Sequence, residues 1–122
     1  MTPRPARIEL KRAYEAPAGD DGLRLLVERL WPRGVKRDAA RIDHWFKELA
    51  PSTELRRWYD HIPERWPEFQ ARYEAELDAA TPEAIGELIE LCSTQPVTFV
   101  FAARDVTRNS AVVLRAYVLG RM

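Results

Sequence analysis

VTFVFAARDVTRNSAVVL, residues 97–114, joins an uninterrupted apolar run to a short polar loop and then to a second apolar segment. Val97 to Ala103 is rich in β-branched and aromatic residues, which reads as a strand buried on both faces and so, in a parallel sheet, as the central one. Arg104 to Asn109 follows as a polar loop. Ala111, Val112, Leu114, Tyr117 and Val118 then predict a closing apolar helix, its cap drawn from Asp105, Thr107 or Asn109. A strand, a polar loop and a helix in that order make the unit of an α/β fold.

The rest of the chain extends this unit. Ile8 and Leu10 alternate with Glu9 and Lys11, as in a strand with one buried face. Pro17, Gly19, Asp20, Asp21 and Gly22 interrupt it. A second strand starts at Leu23, with Leu23, Leu25 and Val27 on one face and Leu26 and Leu30 on the other. Residues 41–50, RIDHWFKELA, are ambiguous: Ile42, Trp45, Phe46 and Leu49 fit helical spacing, while the short length and Pro51 suit a strand equally. Ser52 or Thr53 caps a helix that turns Leu55, Trp58 and Tyr59 inward. Trp66, Phe69, Tyr73 and Leu77 recur at steps of three and four, forming the clearest helical stripe. Thr81, Pro82 and Glu83 start a further helix, which buries Ile85, Leu88 and Cys92.

At 122 residues the chain fits one domain, with nothing resembling a linker or repeat. Its 19 basic residues balance 19 acidic ones, so attraction for anions must be local and general nucleic-acid binding is not favoured. One cysteine excludes an intramolecular disulfide framework, and its helical setting reads as a small buried hydrophobe. No apolar stretch is long enough to span a bilayer and MTPRPARIEL lacks a signal-peptide core, so a cytoplasmic location without membrane partners is expected.

In open parallel sheets, ligands bind beyond the carboxyl ends of the strands. Three stretches are expected to converge there: Trp31-Pro32-Arg33-Gly34, Pro51-Ser52-Thr53, and Arg104 to Asn109. Helix amides with Arg33 and Arg104 would suit a phosphate or carboxylate, and Trp31 would stack on a planar group. His61 is a candidate acid or base. His44 and His61 have no partners at metal-ligand spacing, so no metal site is expected. The pair Arg56-Arg57 reads as a solvated helix face. No P-loop, GxGxxG or GxSxG occurs, which leaves any cofactor unspecified.

ERLWPRG at 28–34, KELAPSTELRRW at 47–58, HIPERW at 61–66 and ARDVTRNSAVVL at 103–114 resemble the YeaO-like branch of the domain-of-unknown-function family 488. The likeness runs from about Arg12 to Tyr117. It implies a compact, single-domain, Rossmann-like α/β fold and a strand for residues 42–49. The sheet is then expected to be mixed, with a parallel core flanked by helices. The family pattern maps onto Arg29, Trp31, Pro32, Arg33 and Gly34, onto Lys47, Glu48, Pro51 and Ser52, and onto His61, Trp66 and Asn109. Glu28 stands where the resemblance leads one to expect aspartate. Ile62 likewise replaces an aspartate, and Ser110 a histidine.

The combined reading is a small-anion site, for a phosphorylated metabolite or nucleotide, in a hydrolase or transferase. Arg33 and Arg104 would hold the anion, with Gly34, Lys47, Ser52 and Asn109 around it, Trp31 as a wall, and Glu48 or His61 moving protons. The alternative is a non-catalytic module that meets a protein or nucleic acid through Trp31, Arg33, Lys36 and Arg37. A third reading makes the arginines structural. The oligomeric state is not specified.

Overall fold

A computed structural model describes residues 7–122; most of MTPRPARIEL, on which the signal-peptide reading rests, lies outside the described residues. Strands β1 (Ile8–Arg12), β2 (Leu23–Leu26), β3 (His44–Trp45) and β4 (Val97–Phe101) form one sheet in the order β1-β4-β2-β3. Every residue of β4 is buried, as its composition requires, and β4 is flanked by β1 and β2. Val97 aligns with Ile8 on one side and Leu23 on the other.

All three pairings are parallel, where a mixed sheet was expected. Each connecting segment, residues 13–22, 27–43 and 46–96, returns the chain to the amino-terminal edge before the next strand starts. The first return ends at Gly22, whose φ of 67° is open to glycine and strained for other residues. There Leu23 N–H donates to the Pro96 carbonyl at 3.1 Å, starting β2 beside β4.

The helices are α1 (Arg37–Ala40), α2 (Thr53–Tyr59), α3 (Trp66–Asp78), α4 (Pro82–Thr94) and α5 (Ser110–Leu119). Buried side chains of α2 to α5 form one cluster with Leu25, Val27, Val97, Phe99 and Phe101. The expected stripe of α3 is in it, through Phe69, Tyr73 and Leu77. Leu26 and Val100 point to the opposite face, which is covered by Ala13, Trp31, Val35, Ile42 and Trp45 rather than by long helices. Farther along that face, buried Arg24 and Thr98 both bond Asp21, at 2.6 and 2.8 Å.

Two expectations change here. The strand expected over 42–49 is confined to His44–Trp45, and a 3-10 turn occupies Lys47–Leu49. Ile42 and Trp45 cover one face of the sheet while Phe46 and Leu49 enter the helix-side core. This division explains why the segment carries helical spacing without being a helix. Leu30 is 65% exposed, because β2 ends at Leu26 and the chain has left the sheet before residue 30.

Candidate functional site

Beyond the carboxyl ends of β2 and β4 lies a cavity of about 480 Å³. Glu28, two residues past β2, enters it half-buried and accepts the Ala102 N–H at 3.0 Å, tying the two strand ends together. Burial raises the carboxyl's pKa; the Ala102 amide and the nearby charges of Arg56 and His61 pull only partly the other way.

Two arginines hold the loops around this floor. Arg29 donates through Nε to the Pro51 carbonyl at 3.0 Å and through Nη2 to that of Ala50 at 3.1 Å. Arg12 reaches the Ala103 carbonyl at 2.9 Å. The second loop then enters α2 through Ser52, whose Oγ accepts the Leu55 N–H at 3.1 Å and donates to Glu76 Oε2 at 2.6 Å. Serine at this position is the expected helix cap.

Helix α2 points Leu55 and Tyr59 into the core and lays Thr53, Arg56, Arg57 and Asp60 along the cavity. Among the described residues, neither Arg56 nor Arg57 has a carboxylate within ion-pairing distance. The helix ends on two consecutive left-handed residues, Asp60 (φ 47°) and His61 (φ 54°). Non-glycine residues adopt this backbone at a cost, and here it delivers His61 to the cavity. Tyr59 stacks on Phe69 at 4.5 Å between ring centres and sends its hydroxyl to the Arg108 carbonyl.

The opposite wall is the start of α5. Asn109 is its cap, accepting the Val112 N–H at 3.1 Å and donating through Nδ2 to the Asp105 carbonyl at 2.9 Å. Asp105 accepts from the main-chain N–H groups of Thr107 and Arg108 and from the side chains of the same two residues, which holds its carboxyl below the usual range. Ser110 is the first residue of the helix and lines the cavity. The first amides of a helix have no partner within it, so this end offers N–H donors and the positive end of the helix dipole.

Of the residues singled out from the sequence, Pro51, Thr53, His61, Asn109 and Ser110 line this cavity. Trp31, Arg33, Gly34, Lys47, Glu48, Ser52 and Arg104 do not. Ser52 is engaged with Leu55 and Glu76. Trp31 donates from its indole to the Val35 carbonyl at 2.6 Å, meets Trp45 edge-on, and is covered by Arg37 at 4.5 Å. Lys47 lies over the Trp45 ring, and Gly34, with φ 80°, is in the turn where Val35 N–H donates to the Pro32 carbonyl at 3.3 Å. Arg33, Glu48 and Arg104 are exposed; the Arg33 carbonyl accepts the Tyr14 hydroxyl at 3.1 Å.

The residues that sequence reading passed over are Glu28, Arg56 and Arg57. A signal was available: Thr53, Arg56, Arg57 and Asp60 recur at helical spacing beside the buried Leu55 and Tyr59, as a polar stripe bordering the core. Among the described residues no group of three metal-ligating side chains occurs, and no helix is long and apolar enough to cross a membrane. Cys92 is buried and its thiol pKa is pushed up to about 12, the setting of a core residue.

The chain is thus an α/β protein with a parallel sheet and a cavity beyond its strand ends, walled by a helix start and a pair of arginines. Residues 7–122 match the family described as the inactive DUF488-N3 subclade, and the chain belongs to that family. It is 41% identical over 108 residues to the uncharacterized protein YeaO of Escherichia coli, covering 88% of this chain and 92% of that one. Uncharacterized proteins of Mycobacterium tuberculosis and Mycobacterium bovis are 45% identical over 118 residues, covering 97% of this chain and 98% of each relative. No solved structure matches the chain.

Proposed function

We propose that this chain is a cytoplasmic binding protein for a small anion, a phosphorylated metabolite or nucleotide, and that it holds its ligand without converting it. The observation that carries the reading is that Arg56 and Arg57, free of carboxylate partners among the described residues, share one cavity with the amino-terminal turn of α5. Two guanidinium groups and the Ser110 end of the helix match the oxygens of a phosphate. His61 adds a further donor when protonated. Glu28 in its neutral form tolerates an anion nearby, whereas its ionised form opposes one. The fold is Rossmann-like in a functional sense: its ligand sits beyond the carboxyl ends of parallel strands.

The absence of turnover is supported by the family's description as an inactive subclade and by Ser110, where the resemblance leads one to expect histidine. In this reading His61 binds rather than catalyses, and Glu48 plays no part because it lies outside the cavity. Calorimetric titration with inorganic phosphate, then with nucleoside and sugar phosphates, tests it. Arg56→Ala and Arg57→Ala should each weaken binding by about tenfold or more, the loss of one charge-assisted contact. They should leave the melting temperature nearly unchanged, since both side chains are exposed. Absence of phosphate-ester binding at millimolar ligand, or binding indifferent to both substitutions, refutes the reading.

A second reading is favoured by a different observation. Arg37 and Lys47 cover the Trp31 and Trp45 rings on the opposite face, with exposed Arg33 and Lys36 nearby in sequence. Such an aromatic and basic surface suits an acidic protein segment or a nucleic acid. Salt titration separates the partners, because binding through a phosphate backbone falls steeply with salt.

A further inference from the structure

Positive charge is concentrated in one segment of this chain. Residues 29–47 hold six basic residues, Arg29, Arg33, Lys36, Arg37, Arg41 and Lys47, against two acids, Asp38 and Asp43, in a protein of zero net charge. The segment crosses the face of the sheet that no long helix covers, where Trp31, Val35, Ile42 and Trp45 pack on Leu26 and Val100. Its two tryptophans are fixed by their indoles: Trp31 donates to the Val35 carbonyl and Trp45 to the Glu28 carbonyl, each at 2.6 Å. They meet edge-on, 5.7 Å between ring centres, and both stay half-buried rather than closed into the core.

Cations lie on these rings. The Arg37 guanidinium stands 4.5 Å from the centre of Trp31 and 5.7 Å from that of Trp45, and the Lys47 ammonium 5.1 Å from Trp45. The row continues toward β1, where Tyr14, 51% exposed, donates its hydroxyl to the Arg33 carbonyl at 3.1 Å and carries the Arg12 guanidinium 5.0 Å from its ring centre. Among the described residues, no carboxylate is within ion-pairing distance of Arg33, Lys36, Arg37 or Lys47. Because β1 and β3 are the two edge strands, a row from Tyr14 to Trp45 crosses three strand intervals, about 14 Å, the reach of a few nucleotides.

Charge and aromaticity together select the partner. An acidic peptide would use the cations and leave the rings idle, while a duplex keeps the faces of its bases inside its own stack. A single strand offers phosphates to the cations and open base faces to the rings. We propose that this face of the sheet binds single-stranded nucleic acid, its bases stacking on Tyr14 and the Trp31–Trp45 pair and its phosphates meeting Arg33, Lys36 and Arg37. Arg37 and Lys47 serve both parts. A guanidinium lying on an indole stacks a base on its outer side, and a phosphate that draws either cation aside uncovers the ring beneath it. The proposal rests on the second reading above, of an aromatic and basic surface, and names its partner; it does not depend on the α2 cavity.

The test is fluorescence anisotropy of the full chain with labelled oligothymidylate and oligouridylate of about twelve nucleotides, beside a duplex of the same length and polyglutamate. The single strands should bind with a Kd of roughly 1–100 μM at about 0.15 M salt, quench tryptophan emission and lose affinity as salt rises. Tyr14→Ala should weaken binding by about fivefold or more, the loss of one stacked base. Arg33→Ala and Lys36→Ala should each lower the slope of log affinity against log salt by about 0.7, one phosphate apiece. Thermal unfolding verifies that the variants are folded, and Arg56→Ala should leave binding unchanged. The proposal is overturned if the duplex binds as tightly as the single strands, or if neither Tyr14→Ala nor the two charge variants alter binding. Polyglutamate bound as tightly as the single strands would overturn this partner while leaving the second reading in place; no binding by any of the four probes would remove both.

Discussion

Glu28 accepts the main-chain N–H of Ala102 at 3.0 Å, so a carboxyl group that lines the cavity is also the clamp between the ends of β2 and β4. The two roles depend differently on protonation. A carboxyl group accepts the amide whether charged or neutral, but burial favours the neutral form and raises the pKa above its ordinary 4.5. The folded state therefore binds the proton more tightly than the unfolded chain. This makes wild-type stability fall as pH rises through the interval between 4.5 and the raised folded value, and level off above it.

Glu28→Gln keeps an amide acceptor for Ala102 and removes the charge. At neutral pH it should melt at or above the wild-type temperature, with the difference closing as pH is lowered toward 4.5. Glu28→Ala leaves the Ala102 N–H without its partner and should cost about 1–3 kcal/mol. Thermal unfolding of the three proteins across pH checks both. A glutamine variant that loses as much stability as the alanine variant would show that charge, not the hydrogen bond, holds the strand ends.

Ser52 has an architectural role at the edge of the same region. Its Oγ both caps α2 through Leu55 N–H and donates to Glu76 on α3. Ser52→Ala removes the two bonds together and should destabilise the chain by about 1–2 kcal/mol. Phosphate affinity should hold in conditions where the protein stays folded. Urea unfolding against calorimetric titration separates the effects, and a loss of affinity without a loss of stability would place Ser52 at the ligand.

How far the sequence discloses this molecule depends on whether a feature is local. The burial of β4 is written in VTFVF, the apolar stripe of α3 in Trp66, Phe69, Tyr73 and Leu77, and the cap of α2 in Ser52. Each is carried by neighbouring residues. The residues expected at the carboxyl edge include Pro51, Thr53, His61 and Asn109, which line a cavity there, but not its further lining residues Arg56, Arg57 and Glu28. Arg56 and Arg57 depend on which way α2 is rolled, and that is set by Leu55 and Tyr59 finding a core built by distant strands. Trp31, Lys47 and the short α1 are similar: the chain crosses to the far face of the sheet after β2, and no periodicity in LWPRGVKR records that crossing.

Asp21 anchors that far face. It is buried and bonded to Lys11, Arg24 and the Ala18 N–H. Burial pulls its pKa upward, but the Ala18 amide and the two cations together hold it below the ordinary 3.8. With a depressed folded value, its contribution is present above pH 3.8 and lost as pH falls below it. Asp21→Ala would strand Arg24 in the interior and should cost about 3–5 kcal/mol at neutral pH. Asp21→Asn should cost less, because the amide retains an acceptor for Arg24. Chemical denaturation at neutral and acid pH measures both, and equal losses for the two variants would argue that the charge, rather than the shape and the retained acceptor, is what the site requires.

Gly22 and Gly34 both have left-handed backbones, with φ of 67° and 80°, yet they should respond differently to alanine. At Gly34 no atom lies within 4 Å of an added Cβ, so Gly34→Ala bears only the conformational cost of about 1–2 kcal/mol. At Gly22 the added Cβ would stand 2.2 Å from the Pro96 carbonyl oxygen, the same oxygen that accepts Leu23 N–H and starts the pairing of β2 with β4. Relief requires the backbone of one of these strands to move. Gly22→Ala should therefore cost more than about 3 kcal/mol and weaken amide protection in β2 and β4, whereas Gly34→Ala should leave protection of the sheet intact. Hydrogen exchange resolved by residue distinguishes the two. Equal and small effects would mean that the 13–22 return can shift without disturbing the sheet, and that β2 is held in place by its side chains rather than by how the chain enters it.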